Sequence, residues 1–449
     1  MDHSKYREEQ IEPLWNKAKA SGISRRRFIV LLASGGAAAV LAACTGKIAP
    51  LPTTPTLAPT FTPTATPTPV PSSTPTPAPT SILPAPTVIL PTTPAPRPID
   101  KPIPEQYFLP LGTNAEMRFE LMASRGYTVP NSFFFVRGHT FTPFIDVKTW
   151  KLRIEGDGVD KTLDITYNDL LKLPSKTVTR FVECAGNGRS FFDTLLKKPA
   201  QGGQWRLGAY GVAEWTGVPL SEILSRAGIK RTAVDVMPTG LDSLNIERPM
   251  SVAKAMEDDT IVAYLMNGEI LPLDHGFPAR LVTPGWVGIT NIKWVGKITV
   301  SEKPIFVDKN TNSYVFIGPD YQPQPPAKGP ILTAQVMKSA LALPWPATLN
   351  AGPQKIDGYA WSPFGKIARV EVSLDGGKTF QNAALTGPNI ERAGSRWEFS
   401  FNAIPGDITI TPRATDEKGN VQYDVSQQKW NEQGYLFGAI APHPVKIIG

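Results

Sequence analysis

The stretch of this 449-residue chain that most limits its folding is one that cannot fold. Residues 48–96 are dominated by proline, threonine, alanine and serine, as in TPTLAPTFTPTATPTPVPSSTPTPAPT, and no charged residue lies between Lys47 and Arg97. Such a composition cannot bury a core, and its prolines favour extended polyproline II at about 3.1 Å per residue. Some fifty residues of it would reach on the order of 150 Å. Much of the chain's 46 prolines is thereby accounted for, and the globular part must lie after the stalk.

What precedes the stalk reads as an address. SRRRFIVLLASGGAAAVLAAC (24–44) places Arg25 and Arg26 before an apolar run that ends at Ala43, too short for a spanning helix of roughly 20 residues. The pair resembles a twin-arginine export signal, and LAAC resembles the lipobox of bacterial lipoproteins. That resemblance implies lipidation at Cys44; an uncleaved N-terminal anchor is the alternative. Either way the folded part is expected outside the cytoplasm, tethered to the outer face of the cell membrane or held in the periplasm. The twin-arginine route carries folded proteins, often with a cofactor already inserted. The net charge of +7 offers little for nucleic acid, because the first 27 residues hold seven Lys/Arg against four Asp/Glu. No nucleic-acid partner is expected.

Beyond the stalk, KLRIEGDG alternates like a strand and breaks in a turn, PLSEILSRAG has helical spacing with a glycine stop, and IVAYLMNGEIL is a strand turned by Asn-Gly. Strands and helices mix without a regular βαβ period, which predicts an α+β domain. After YQPQPPAKGP, short alternating strands with Gly-Gly, Pro-Gly and Gly-Asn turns predict an immunoglobulin-like β-sandwich. The expected partition is a signal at 1–44, a disordered stalk at 45–104, a catalytic α+β domain at 105–325 and the sandwich at 326–449. No GxGxxG or P-loop pattern appears.

If Cys44 is lipidated, Cys184 in RFVECAGNGRS is the one thiol left. An inert buried cysteine is the ordinary reading. Arg180 and Arg189 offer positive charge to a thiolate, and the AGNG turn offers room near the backbone. Zinc and iron–sulfur sites need more Cys or His ligands than the chain supplies, and CxxCH is absent. A single thiolate suffices only for a metal that brings most of its own ligands.

At these residues the sequence resembles the sulfite oxidase family of molybdopterin enzymes. The resemblance is carried by FFFVRGH, CAGNGRS, GAYGVAEWTGVPLSEIL, GLDSLNIERPMSVAKAMEDDTIVAYLMNGE and LPLDHGFPARLVTPGWVGITNIKW, and the sandwich, with DGYAWSPFGKIARVEVSLDGGKTF, resembles the family's dimerisation domain. It implies a molybdenum–molybdopterin cofactor with Cys184 as the metal ligand. The pterin and its phosphate would be held by Phe135, Val136, Arg137, Gly138, His139, Asp242, His275, Arg280, Asn291, Ile292 and Lys293. Arg137 and Arg189 would face a small oxyanion, with forks suited to bidentate contact, and Tyr321 would stand near the reacting atoms.

Two departures bear on substrate: Gly138 replaces the usual Asn of the first motif, and Pro444, after His443, occupies the place of a C-terminal pocket arginine. The implied activity is sulfite oxidation to sulfate, with electrons leaving to an external c-type cytochrome and a homodimer formed through the C-terminal domain. Alternatives are an S-oxide or N-oxide reductase of the same family, or a non-catalytic stalked surface lipoprotein that binds a ligand or partner.

Overall fold

The hairpin read from IVAYLMNGEIL forms as expected: strands Ile261–Met266 and Glu269–Ile270 pair antiparallel across Asn267 and Gly268. Both turn residues have positive φ (52° and 76°), the combination a two-residue hairpin turn demands and Asn-Gly supplies. The structure, a computed structural model, describes residues 97–123 and 125–449. The expected signal, Cys44 and most of the stalk therefore lie outside the described residues.

Two five-stranded sheets build the first body. One runs Glu269–Ile270, Ile261–Met266, Tyr210–Pro219, Lys176–Glu183, with Arg280–Val282 also paired to the second of these. The other runs Leu163–Thr166, Lys151–Glu155, Val295–Ser301, Asp235–Gly240, Met250–Ser251. Its central pair, Lys151–Glu155 with Val295–Ser301, is parallel, which requires a long crossover; 139 residues of mixed strand and helix supply it. The helix Leu220–Ala227 buries Leu220, Ile223, Leu224 and Ala227 on one face. It stops at Gly228, whose left-handed φ of 73° suits a residue without Cβ. This is a mixed α+β fold.

From Lys338 a β-sandwich follows, with Lys338–Leu341, Gly352–Trp361, Gly394–Ala403 and Ala384–Ile390 in one sheet. The facing sheet runs Ala347–Asn350, His443–Ile448, Gly406–Asp416, Ile367–Ser373, Gln381–Asn382. The two bodies are not merely linked. Trp361 stacks on Tyr210 with ring centroids 3.9 Å apart, and both are fully buried. Such a pair adds about 0.5–1.5 kcal/mol beyond the apolar area it hides. Tyr359 Oη donates to the Met122 carbonyl, and Tyr210 Oη to that of Ala393.

The stalk ends earlier than residue 104. Ile99 is buried, Ile103 packs against the core, and the Asp274 carboxylate accepts from the backbone N–H of Asp100 (2.9 Å) and Lys101 (2.8 Å). Two isoleucines and a carboxylate that accepts from two backbone amides make residues 99–103 part of the body. Among the described residues no helix is long and apolar enough to cross a membrane.

Candidate cofactor and oxyanion site

Cys184 follows the strand Lys176–Glu183 directly. Its N–H donates to the Ala209 carbonyl, and its own carbonyl accepts from Asn187 N–H, both at 2.9 Å. The thiol thus stands at a strand end on a tight turn, at the wall of a cleft of about 730 Å³, open mouth included.

Six chain segments converge there. Phe135, Arg137, Gly138 and His139 leave a short bridge that Val136 makes to Ala115. Asp242 follows the strand Asp235–Gly240, His275 ends a single tight turn, and Arg280 opens the strand Arg280–Val282. Asn291, Ile292 and Lys293 come from the loop after Gly288–Thr290, and Tyr314 from the loop after the helical turn Asp308–Thr311. Val136 alone among the expected pterin-binding residues is buried behind the lining.

The electrostatics are lopsided. Arg280 donates to the carbonyls of His275 (3.0 Å) and Asn291 (3.2 Å), and Lys293 to that of Asp274 (2.7 Å). Among the described residues neither forms an ion pair. Burial lowers Arg280 to about 9 and Lys293 to about 7. Burial also opposes charge on Arg137, but Tyr314, Cys184 and Tyr435 outweigh it and hold its pKa above the ordinary value. His275 is driven well below its usual pKa by burial and by Lys101, Lys293 and Arg280. The two carboxylates present are already engaged. Asp242 accepts from Ile246 N–H and the Thr140 hydroxyl, and Asp274 from the Thr142 hydroxyl and the two amides above.

A pocket of desolvated cations with committed carboxylates calls for an anionic ligand. Asn291 Nδ2 is buried without a hydrogen-bond partner, a donor left for an acceptor within the cleft. Cationic groups, an orphan amide and a thiol fit a phosphorylated pterin that carries a metal. Among the described residues no group of three His, Cys, Asp or Glu is placed to hold a metal by itself.

At the mouth, Arg137 Nη2 donates to His139 Nε2 (2.9 Å) and to Tyr314 Oη (3.4 Å), and Tyr314 Oη lies 3.2 Å from the same nitrogen. A nitrogen that accepts from arginine is unprotonated, so His139 is neutral with its proton on Nδ1. Its pKa, lowered to about 2 by burial and Arg137, agrees.

Four expectations are displaced. Tyr321 does not line the cleft; it stacks on Phe316 at 4.5 Å, and Tyr314, seven residues earlier, takes the place beside Arg137. Arg189 is buried behind the Cys184 turn, where it donates to the carbonyls of Gly203 and Gln433 (2.8 Å each) and lies over Tyr435. The room left by Gly186 is filled by this guanidinium, since a Cβ there would meet Arg189 Nη2 at 2.5 Å. Arg180 is spent on Asp259 at 2.8 Å, and the cation acting on the thiol is Arg137. His443 and Pro444 sit in the sandwich strand His443–Ile448, with His443 against Trp345, so Pro444 removes no cation from the lining. The C-terminal body reaches this region instead through Gln433 and Tyr435, which the strand pattern gave no reason to single out.

Comparison with known proteins agrees with this geometry. The family model "Oxidoreductase molybdopterin binding domain" matches residues 139–307, and "Mo-co oxidoreductase dimerisation domain" matches 335–441. Chicken sulfite oxidase (Gallus gallus) is 34% identical over 72% of this chain and 74% of its own length. Mitochondrial sulfite oxidase of Rattus norvegicus is also 34% identical, and the chain spans only 64% of that longer protein. An NADH nitrate reductase of Ulva prolifera is 30% identical over 69% of this chain and 39% of its own length. Among solved structures, the sulfane dehydrogenase SoxCD of Paracoccus pantotrophus aligns with a TM-score of 0.67 and 32% identity, over 74% of this chain and 84% of that one. The chain belongs to the sulfite oxidase family of molybdopterin-binding oxidoreductases.

Proposed function

We propose that the protein is a molybdenum–molybdopterin oxidoreductase that oxidises sulfite to sulfate and passes the electrons to an external c-type cytochrome. The observation that carries this reading is the Cys184 thiol at the wall of a cleft whose buried cations lack anionic partners. The bound molybdenum–pterin group would supply two-electron oxygen-atom transfer. Arg280 and Lys293 would hold its phosphate by charge-assisted hydrogen bonds, Asn291 Nδ2 would donate to it, and Cys184 would hold the metal as a thiolate.

Arg137 is the fixed cation at the mouth, and its fork can orient a small oxyanion while shared with Tyr314 and His139. Tyr314 Oη, within 3.4 Å of Arg137 Nη2, can give or take a proton as the anion's charge changes. The tyrosine role expected of Tyr321 passes in this proposal to Tyr314, and Arg189 becomes a support for the Cys184 turn.

Identity to a nitrate reductase favours one rival, an enzyme that reduces an oxyanion at the same site. Metal analysis of protein made in a molybdopterin-competent host, followed by sulfite-dependent reduction of cytochrome c, separates the readings. Near one molybdenum per chain with sulfite turnover is expected. Molybdenum with nitrate or S-oxide turnover alone would transfer the assignment to the reductase, and no molybdenum would leave the non-catalytic lipoprotein. Export by the twin-arginine route, anchoring through Cys44 and pairing of two copies through the sandwich complete the proposal. Palmitate labelling that persists in Cys44→Ala would remove the anchor.

A further inference from the structure

Glu183, the residue before Cys184, is a carboxylate with no exposure at all, and its ion-pair partner Lys338, 3% exposed, comes from the first strand of the sandwich. The pair is closed at 2.5 Å, and both partners make further hydrogen bonds. Glu183 Oε1 also accepts from Asn187 Nδ2 (2.8 Å), and Oε2 accepts from Trp361 Nε1 (2.9 Å). Lys338 Nζ donates a second time, to the Asn187 carbonyl (2.9 Å), and Gln335 Nε2 donates to the Glu183 carbonyl (2.7 Å). Asn187 closes the circuit, because its Oδ1 accepts from Ala209 N–H, whose residue's carbonyl holds the Cys184 N–H.

Gln335, Lys338 and Trp361 all belong to the C-terminal part of the chain, and Cys184 to Asn187 is the turn that presents the thiol. Gly288 also presses close: a Cβ there would meet the Glu183 carbonyl at 2.5 Å and Cys184 Cα at 3.2 Å.

Burying two charges costs desolvation that apolar residues of the same size avoid, so a buried pair is weak evidence for stability as such. Nor does a closed pair, neutral in sum, supply the thiol with net charge. What it supplies is direction, at the backbone one residue from the sulfur. We infer that Glu183 and Lys338 form an interdomain positioning pair that sets the direction of Cys184 Sγ, so that docking of the sandwich orients the metal-holding thiol. The inference rests on the proposed role of Cys184.

The test uses the full chain with its cofactor and two variants, Lys338→Met and the double variant Glu183→Gln/Lys338→Met, whose single amide oxygen can accept from Asn187 Nδ2 or Trp361 Nε1 but not from both. Lys338→Met leaves Glu183 buried and unpaired, and should lower both the midpoint of thermal unfolding and molybdenum retention. The double variant removes the unpaired buried charge and should recover part of the thermal midpoint, the remainder being the cost of one donor left without an acceptor. It should still show a displaced sulfur-to-metal charge-transfer absorption and a kcat lower by about tenfold, with KM little changed, the scale seen when supports of a metal ligand are removed.

A double variant that matches the wild type in absorption and kcat would overturn the inference. One that does not fold would overturn it too, by making the pair structural. Should the wild type carry no molybdenum, the ligand role of Cys184 fails separately. Alkylation of the Cys184 peptide in unloaded protein still decides the positioning claim: faster modification in the double variant sustains it, and equal rates end it.

Discussion

Two clusters of buried or half-buried cations can be set side by side. At the seam between the bodies, Arg392 meets Glu257 at 2.6 Å and Asp259 at 3.2 Å, Arg180 meets Asp259, and Lys254 meets Glu257 at 2.7 Å. In the cleft, Arg137, Arg280 and Lys293 make no ion pair among the described residues and lean on backbone carbonyls. The seam cations complete their own electrostatics and so hold protein to protein. The cleft cations are incomplete without something the chain does not provide. In these two clusters the paired charges make a joint and the unpaired ones line the cleft.

The contrast is broken most directly at the cleft. Cys184→Ser should lose molybdenum and turnover altogether while its circular dichroism stays that of the wild type; metal-loaded, active protein would refute the ligand role. Arg137→Met should lower kcat/KM for sulfite by about 10²–10³-fold, as loss of a fixed charge-stabilising donor does, with molybdenum still bound. Tyr314→Phe should lower kcat by about 10²-fold if its hydroxyl moves a proton. Tyr321→Phe should change it by less than about twofold, since it removes a hydroxyl outside the cleft. The reverse order in steady-state rates would return the role to Tyr321.

Arg392→Met, at the seam, should leave the Michaelis parameters alone and cost about 1–3 kcal/mol in urea unfolding, the scale of hydrogen bonds to a charged group.

A further test separates the clusters by pH. Lys293 in cofactor-free protein is lowered from 10.5 to about 7 by burial. Between those values the unfolded chain binds a proton that the folded chain does not, so stability rises with pH across that window and falls as pH drops toward 7. A bound phosphate favours the charged lysine and should flatten the slope. Chemical denaturation of loaded and unloaded protein at pH 7 and pH 9 measures it, and parallel slopes would argue against an anion at Lys293.

Much of this was legible in the sequence, for a physical reason. The Asn-Gly hairpin, the Gly-stopped helix and the motifs carrying Cys184, His275, Arg280 and Lys293 are local, and their spacing reports on the chain within a few turns. Long-range pairings were not legible. Nothing local says which of two tyrosines seven residues apart faces the cleft. Tyr314 does so from a backbone at φ 55°, stacked on Tyr435 at 5.0 Å, a residue more than a hundred positions away. Arg189 looked like a substrate contact because half of its clamp, the Gln433 carbonyl, lies 244 positions away. Position 444 looked like a lost cation because its neighbourhood in the sequence differs from its neighbourhood in the sandwich.

The clasp at Asp274 has a mechanical consequence. A chain anchored at its N-terminus and drawn outward would pull first on the amides of Asp100 and Lys101. That load would fall on a residue of the cleft wall whose carbonyl also seats Lys293. Tension on such a chain and the seat of Lys293 would then share one residue, the first through its carboxylate and the second through its carbonyl.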